Sequence, residues 1–223
     1  KMYFSGLEDK YPVKYQKQGS YVGGLFVFES KLTQEFRLHF DEKIAEMFQS
    51  IGIREGSVWI EVFHDGENYY FNEVGFRYGG SVSIYPVDYF YQINQVAADI
   101  HYALTGESCI SEHTSLIRST LPRKKYYCIY PVHINAGTIS SISGLDKIAQ
   151  LENIVYLATT KYLHDRIESS GSFSQVFALV HFVCNTTEEC IQTIDRIHQM
   201  LVVFDEHGNN MVNRMLDVGK IIF

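Results

Sequence analysis

Two glutamates, Glu61 and Glu73, have the spacing in this sequence that most directly suggests chemistry. They lie on either side of an Asp-Gly step, Asp65-Gly66, within a stretch at 58–80 that is rich in aromatic and β-branched residues. Two such runs around an Asp-Gly step predict a β-hairpin. A hairpin centred there brings the two carboxylates onto neighbouring strands.

The length of the turn decides which residues face each other. If residues 66–68 form a short loop, Asp65 pairs with Tyr69 and Phe63 pairs with Phe71. The same register places the two glutamates directly opposite each other. Because a strand alternates its side chains between two faces, both carboxylates then lie on one face of the hairpin.

Two carboxylates in opposite positions repel each other, and burial makes that repulsion worse. Such a pair shares a proton, holds a cation or points into solvent. Trp59 and Phe63 flank Glu61 on its face, and Phe71 precedes Glu73, which argues against a solvated face. A hard cation such as Mg²⁺ is a natural partner for paired carboxylates. From the residues alone, a metal site and a surface charge pair remain equally open.

The motif continues beyond the second glutamate, with Arg77 and then Gly79-Gly80. The whole pattern resembles the metal-binding hairpin of ATP-grasp ligases, which include biotin carboxylase, the purine-pathway carboxylate ligases and the L-amino-acid ligases. The resemblance implies that Glu61 and Glu73 bind Mg²⁺, or Mn²⁺ in its place, between the phosphates of ATP. It also implies that Phe63 packs on adenine and that Arg77 contacts phosphate or an acyl phosphate.

One position departs from the family pattern. Many ATP-grasp enzymes have an Asn two residues after the second glutamate as a third metal ligand, and this sequence has Gly75 there. Strand alternation predicts that Asn72, which precedes Glu73, points to the opposite face and is a poor substitute. The departure leaves open whether a second metal ion binds.

Composition sets limits on the class of protein. The chain has 223 residues, a net charge of −7 and an aromatic content of 14%. It has no basic face for nucleic acid and no apolar run long enough to cross a membrane. Its four cysteines, Cys109, Cys128, Cys184 and Cys190, are widely spaced. They predict reduced, mostly buried thiols in a cytoplasmic protein rather than a zinc site, which would need more ligands nearby.

Hydrophobic periodicity predicts an α+β protein. Residues 36–51 have the pattern of an amphipathic helix, and residues 89–105 predict a second helix with Asp88 as its N-cap. The resemblance implies that residues 1–120 are the second part of an ATP-grasp nucleotide domain, an antiparallel sheet with helices. Residues 121–223 are then a smaller C-terminal α+β domain.

The second half has its own succession of elements, predicted as strand, strand, helix, strand, strand, helix. The predicted ranges are 126–134, 136–144, 145–150, 154–160, 175–184 and 186–201. Thr186 and Glu189 are spaced as a capping box at the start of the last helix. This order also resembles the C-terminal domain of L-amino-acid ligases.

The resemblance implies an ADP-forming carboxylate–amine ligase that acts on small-molecule substrates through an acyl phosphate and forms a C–N or similar bond. It implies that the chain is a C-terminal piece of a longer protein, inactive alone, and it allows a homodimer. Two alternatives remain: a nucleotide-binding domain without catalysis, and a structural α+β domain whose hairpin is an ordinary pair of strands.

Overall fold

The computed structural model describes residues 2–80, 82–110 and 125–223. By its packing the chain divides into two compact units. The hairpin unit contains Lys1–Gly6 with Leu32–Pro122, and the sheet unit contains Leu7–Lys31 with Arg123–Phe223. Residues 7–31 therefore pack with the C-terminal residues, although the domain division at 120/121 itself stays a prediction.

Helices and strands are interspersed along the chain, and every strand pair in the described residues is antiparallel. They are β1 (Glu8–Tyr15), β2 (Ser20–Phe28), α1 (Thr33–Ser50), β3 (Trp59–His64), β4 (Tyr69–Gly75), α2 (Ile84–Tyr91), α3 (Gln95–Thr105), β5 (Tyr126–His133), β6 (Gly137–Ser143), α4 (Leu145–Ala149), β7 (Ile154–Thr159), β8 (Arg166–Ile167), β9 (Val176–Cys184), α5 (Thr187–Met200) and β10 (Val202–Asp205). Short 3₁₀ turns lie at Phe173–Gln175 and Val218–Lys220. None of the helices in the described residues is long and apolar enough to cross a bilayer.

Aromatic side chains hold the hairpin unit together. Phe36 and Phe40 of α1 contact Tyr69 and Phe71 of β4, with ring centroids 5.3–6.1 Å apart. Phe36 also contacts Phe4, at 5.3 Å. Aromatic pairs at these separations contribute attraction beyond their buried area. Helix α1 therefore covers one face of the β3–β4 hairpin.

The prediction of one helix over 89–105 was wrong. The chain forms α2 and α3 instead, because Gln92 adopts a left-handed conformation with φ 56° and ends α2. Asn94 then caps α3, its side chain accepting a hydrogen bond of 3.0 Å from the Ala97 amide. Asp88, the predicted cap, lies inside α2. The Asn N-cap restarts the helix after the left-handed residue.

The sheet unit is built on a five-stranded sheet in the order β1-β2-β5-β9-β7, with a smaller sheet in the order β10-β6-β8. The predicted succession of strands and helices in the second half is confirmed, and the structure adds β8 and β10. Helix α5 begins as the capping box predicts, with the Thr186 hydroxyl accepting from the Glu189 amide at 3.2 Å. The α+β fold class is confirmed.

Histidines lie in the core of the sheet unit. The fully buried His181 on β9 is hydrogen-bonded through Nδ1 to the Tyr127 hydroxyl at 3.1 Å. His198 on α5 is hydrogen-bonded through Nε2, its other ring nitrogen, to the Tyr130 hydroxyl at 2.7 Å. Burial lowers the pKa of His181 to about 4, because the imidazolium would lose its hydration.

We predict that these histidines make the folded protein less stable as the pH is lowered. Above about pH 6.5 His181 is neutral in both the folded and the unfolded chain. Between pH 6.5 and its folded pKa of about 4, the unfolded chain binds the proton more readily, so the free energy of unfolding decreases. His181→Leu should weaken this dependence by up to about 3 kcal/mol, as measured by urea unfolding at pH 7 and pH 4.5. His207→Leu, at an exposed histidine, is the control and should change the dependence less than His181→Leu does.

Candidate functional site

The turn of the hairpin is organised by one aspartate. Asp65 Oδ1 accepts hydrogen bonds from the amides of Glu67 and Asn68 at 2.9 and 2.8 Å, and Oδ2 accepts from the Tyr70 hydroxyl at 2.9 Å. The two backbone hydrogen bonds, followed by that of Tyr70, lower the pKa of Asp65 to about 2. Asp65 thus stays ionised and fixes the loop.

The register near this loop differs from the prediction. His64, not Asp65, pairs with Tyr69, and Phe63 pairs with Tyr70 rather than Phe71. The loop is one residue longer than predicted, because Asp65 uses its side chain and amide to close the turn instead of pairing in the ladder. The Asp-Gly signal correctly located the turn but not its length.

A β-bulge restores the predicted pairing further along the strands. Val62 lies opposite Phe71 and Glu61 lies opposite Glu73, so Asn72 is an extra residue in β4. In such a bulge two residues on one strand oppose a single residue on the other. Asn72 and Glu73 therefore both oppose Glu61. The predicted pairing of the two glutamates is confirmed.

The bulge changes the expected position of Asn72. Its side-chain Nδ2 donates a hydrogen bond of 2.7 Å to Oε2 of Glu61. The prediction that Asn72 points to the opposite face was therefore wrong, because strict strand alternation fails at a bulge. With the amide nitrogen directed at Glu61, the amide oxygen is available as another oxygen ligand.

The bulge also moves Phe71 away from the glutamates. Sequence alternation placed Phe71 on the face of Glu73, but its ring packs against Phe36 and Phe40 of α1. Tyr70 takes the position opposite Phe63. The hairpin thus has one face against α1 and another that carries the carboxylates.

The face that carries the carboxylates is open. Glu73 is exposed and Glu61 is half-buried, and Phe63 keeps 58% of its surface accessible. The expectation that aromatic neighbours shield the pair from water is not met, since Phe71 packs elsewhere and Phe63 covers little. Carboxylate oxygens on an open face remain accessible to a large charged molecule.

Trp59 occupies the space that a side chain at position 75 would need. The two residues pair across the hairpin, and a Cβ at position 75 would lie 2.2 Å from the indole Nε1. The guanidinium of Arg77 lies 5.1 Å from the centre of a Trp59 ring, a cation–π contact. The same indole therefore occupies the space of a side chain at position 75 and holds Arg77.

The segment after the hairpin is anchored to α3. The Tyr78 hydroxyl donates a hydrogen bond of 2.6 Å to Asp99, and the Tyr78 carbonyl accepts from Nη1 of Arg77 at 2.8 Å. Burial, reinforced by the Asp99 carboxylate, raises the pKa of Tyr78 to about 12, so the phenol stays protonated as a donor. These contacts fix the backbone from which Arg77 extends.

The predicted site residues thus occupy one region of the hairpin. Glu61 and Glu73 are directly opposed, Phe63 is two residues from Glu61 on the same strand, and Arg77 stacks on Trp59, two residues away on the other side. The candidate metal ligands at the centre are carboxylate and amide oxygens, which suit Mg²⁺ or Mn²⁺. A neighbouring guanidinium suits a phosphate or carboxylate ligand.

Comparison with protein families and with curated proteins finds no match to this chain. Solved structures do resemble it. An L-amino acid ligase from Bacillus licheniformis matches 92% of this chain with a TM-score of 0.67 and 20% identity. A phosphoribosylglycinamide synthetase from Anaerococcus prevotii matches 91% with a TM-score of 0.68 and 14% identity. These structures are ATP-grasp enzymes.

The chain has an ATP-grasp fold. The match extends to the biotin carboxylase domain of the Hydrogenobacter thermophilus 2-oxoglutarate carboxylase, with a TM-score of 0.60 and 14% identity over 87% of this chain and 45% of that one. The chain spans about half the length of the first two structures, 53% and 50%. The resemblance to ATP-grasp enzymes that the hairpin motif indicated is confirmed at the level of the fold.

We predict that Gly75→Ala destabilises the hairpin unit by about 1–3 kcal/mol, because the new Cβ displaces the indole of Trp59. The change can be measured by urea unfolding followed by fluorescence of Trp59, the single tryptophan of the sequence. Gly80→Ala is the matched control, since its Cβ would meet no atom within 4 Å. Unfolding of Gly75→Ala at the same urea concentration as wild type would contradict the packing of Trp59 over position 75.

Proposed function

We propose that the protein containing this chain is an ATP- and Mg²⁺-dependent carboxylate–amine ligase that forms ADP and an acyl-phosphate intermediate. The observation that carries the proposal is the opposition of Glu61 and Glu73 on a hairpin of an ATP-grasp fold. In this reaction a substrate carboxylate oxygen attacks the γ-phosphorus of ATP and ADP leaves. An amine then attacks the acyl carbon and phosphate leaves, with formation of a C–N bond.

Glu61 and Glu73 are the proposed ligands of Mg²⁺ or Mn²⁺, with the amide oxygen of Asn72 as a third. When bound, such an ion neutralises charge on the phosphates during phosphoryl transfer. In this proposal Asn72 supplies the oxygen that the family pattern places at position 75. Its hydrogen bond to Glu61 also limits the rotation of that carboxylate.

Arg77 and Phe63 have the other proposed roles. Arg77 binds the transferred phosphoryl group or the acyl phosphate, because its planar fork can make two hydrogen bonds to phosphate oxygens. The stacking on Trp59 keeps the guanidinium close to the hairpin. Phe63, which is 58% exposed, offers a flat apolar surface for the adenine ring.

Other structures support nucleotide use. The Hydrogenobacter thermophilus biotin carboxylase domain was solved as a dimer with MgADP, ADP and bicarbonate. By analogy we propose that this protein binds the magnesium salt of a nucleotide and acts on small-molecule carboxylates and amines. Assembly as a homodimer and a cytoplasmic location remain predictions.

One observation favours a second candidate, a nucleotide-binding domain without catalysis. Trp59 fills the space in which the family's asparagine would bind metal. If Asn72 does not replace it, a single ion would remain at the carboxylates. Nucleotide could then bind without efficient phosphoryl transfer.

We predict that Glu61→Gln and Glu73→Gln each weaken Mn²⁺ binding to this chain about tenfold or more, equivalent to about 1.4 kcal/mol. Each variant removes one ligand charge and also relieves repulsion, so its stability should not decrease. Electron paramagnetic resonance of free Mn²⁺ gives the affinity. Asn72→Ala should weaken binding less, and Glu67→Gln, on the loop, is the control. Equal affinity in wild type and both Glu variants would exclude the metal site.

Catalysis is tested with the full-length protein. ADP formation is measured with pooled amino acids and carboxylates, and hydroxylamine is added to trap an acyl phosphate as a hydroxamate. Substrate-dependent ADP and hydroxamate, both lost in Arg77→Ala, support the ligase. Nucleotide binding with neither product would favour the non-catalytic domain.

A further inference from the structure

Three cysteines that are far apart in sequence meet in the core of the sheet unit. Cys128 Sγ lies 3.6 Å from Cys184 Sγ and 3.8 Å from Cys190 Sγ, and all three sulfurs are within 4.8 Å of one another. All three thiols are free and buried, at 0–2% exposure. This cysteine cluster belongs to the sheet unit, whereas the two glutamates belong to the hairpin unit.

The fold explains the convergence. Cys128 on β5 pairs with Phe182 on β9, so Cys184, two residues further along β9, lies diagonally across on the same face of the sheet. The chain then turns at Thr186 into α5, and Cys190 lies in the first turns of that helix. Three different elements therefore direct their sulfurs to one point.

The spacing of the sulfurs matches that of metal thiolates. A metal bonded to three sulfurs at about 2.3 Å holds them about 4 Å apart. The observed separations are 3.6 and 3.8 Å, with the third below 4.8 Å, so an ion fits with small side-chain movements. Three buried cysteines that merely filled space would not need to point at one another.

The set of ligands indicates the kind of ion. In the described residues the cluster contains three sulfurs and no fourth ligand, whereas structural zinc takes four in a tetrahedron. Thiolates select soft ions such as Cu(I). A monovalent d¹⁰ ion needs no fixed geometry and accepts three sulfurs. The residues that pack around the cluster in the core are mostly apolar.

Cys184 also gives the cluster a route to solvent. It lines a surface cavity of about 680 Å³, together with Asn153, Glu189 and Thr193. All three cysteines belong to the buried core of the sheet unit. An ion that reaches the cluster from this cavity would pass Cys184, the member of the cluster that lines it.

We propose that Cys128, Cys184 and Cys190 form a trithiolate site for a soft monovalent metal ion of the Cu(I) type. The site is independent of the proposed ligase reaction and would be present in either candidate function. On binding, the thiol protons are released to solvent and the three thiolates coordinate the ion without any redox change.

The test titrates the reduced 223-residue chain with Cu(I), anaerobically, against a colorimetric Cu(I) chelator. We expect one equivalent of Cu(I) to bind to the wild-type chain. Cys190→Ser should weaken the affinity for Cu(I) at least about 100-fold, because a hydroxyl is a poor ligand for a soft ion. Cys109→Ser, at the exposed cysteine of the other unit, is the matched control and should bind as wild type. Unchanged affinity in Cys190→Ser, or its loss in Cys109→Ser, would overturn the proposal.

A second measurement covers the case in which Cys190→Ser does not fold. X-ray absorption of the wild-type chain loaded with Cu(I) should show three sulfurs at about 2.3 Å. Two sulfurs, or nitrogen and oxygen neighbours, would overturn the trithiolate. The last measurement is a titration with Zn²⁺. Tighter binding of zinc than of Cu(I) at the same thiols would overturn the assignment to a monovalent ion.

Discussion

Repulsion between Glu61 and Glu73 is the constraint around which the hairpin unit is arranged. A sheet places opposed side chains a few ångströms apart, so two carboxylates there need a compensating positive charge or hydrogen-bond donors. The structure supplies a donor in the Asn72 amide, 2.7 Å from Glu61. Arg77 stacks on Trp59, which lies two residues before Glu61 on the same strand. The other face of the hairpin packs on the aromatic side chains of α1, which leaves the carboxylates accessible.

A single tryptophan links the two unusual features of this site. The Trp59 indole lies where the side chain of a family-type asparagine at position 75 would begin, and it also carries Arg77. A bulge in β4 meanwhile directs another asparagine, Asn72, to the carboxylate of Glu61. The amide group is thus still present at the hairpin, although it comes from three residues earlier in the sequence.

Sequence patterns predicted the features that depend on local composition. The Asp-Gly step located the hairpin, the helical period located α1, and the Thr186–Glu189 spacing located the start of α5. The opposition of the two glutamates was also predicted, because the longer loop and the bulge offset each other. The ATP-grasp resemblance came from the motif, not from overall sequence similarity, which is at most 20% in the structures compared.

The remaining features depend on interactions that sequence patterns do not record. The bulge at Asn72 has no glycine or proline to mark it, and it reversed the faces expected for Asn72 and Phe71. The break at Gln92 depends on one left-handed residue of a type that rarely adopts that conformation. The three cysteines converge only through the pairing of β5 with β9 and the packing of α5, which bring together positions up to 62 residues apart.

The position of the β1–β2 hairpin affects how the chain can fold. Strand β2 hydrogen-bonds to β5, with Val27 opposite Cys128, so the central sheet closes a loop of about a hundred residues. During synthesis the first two strands emerge well before their neighbour, and the unpaired edge of β2 stays exposed until β5 arrives. The whole hairpin unit apart from its first residues is contained in that loop. Completion of the sheet is therefore a late, non-local step, and residues 121–223 alone would lack β1 and β2, two of the five strands.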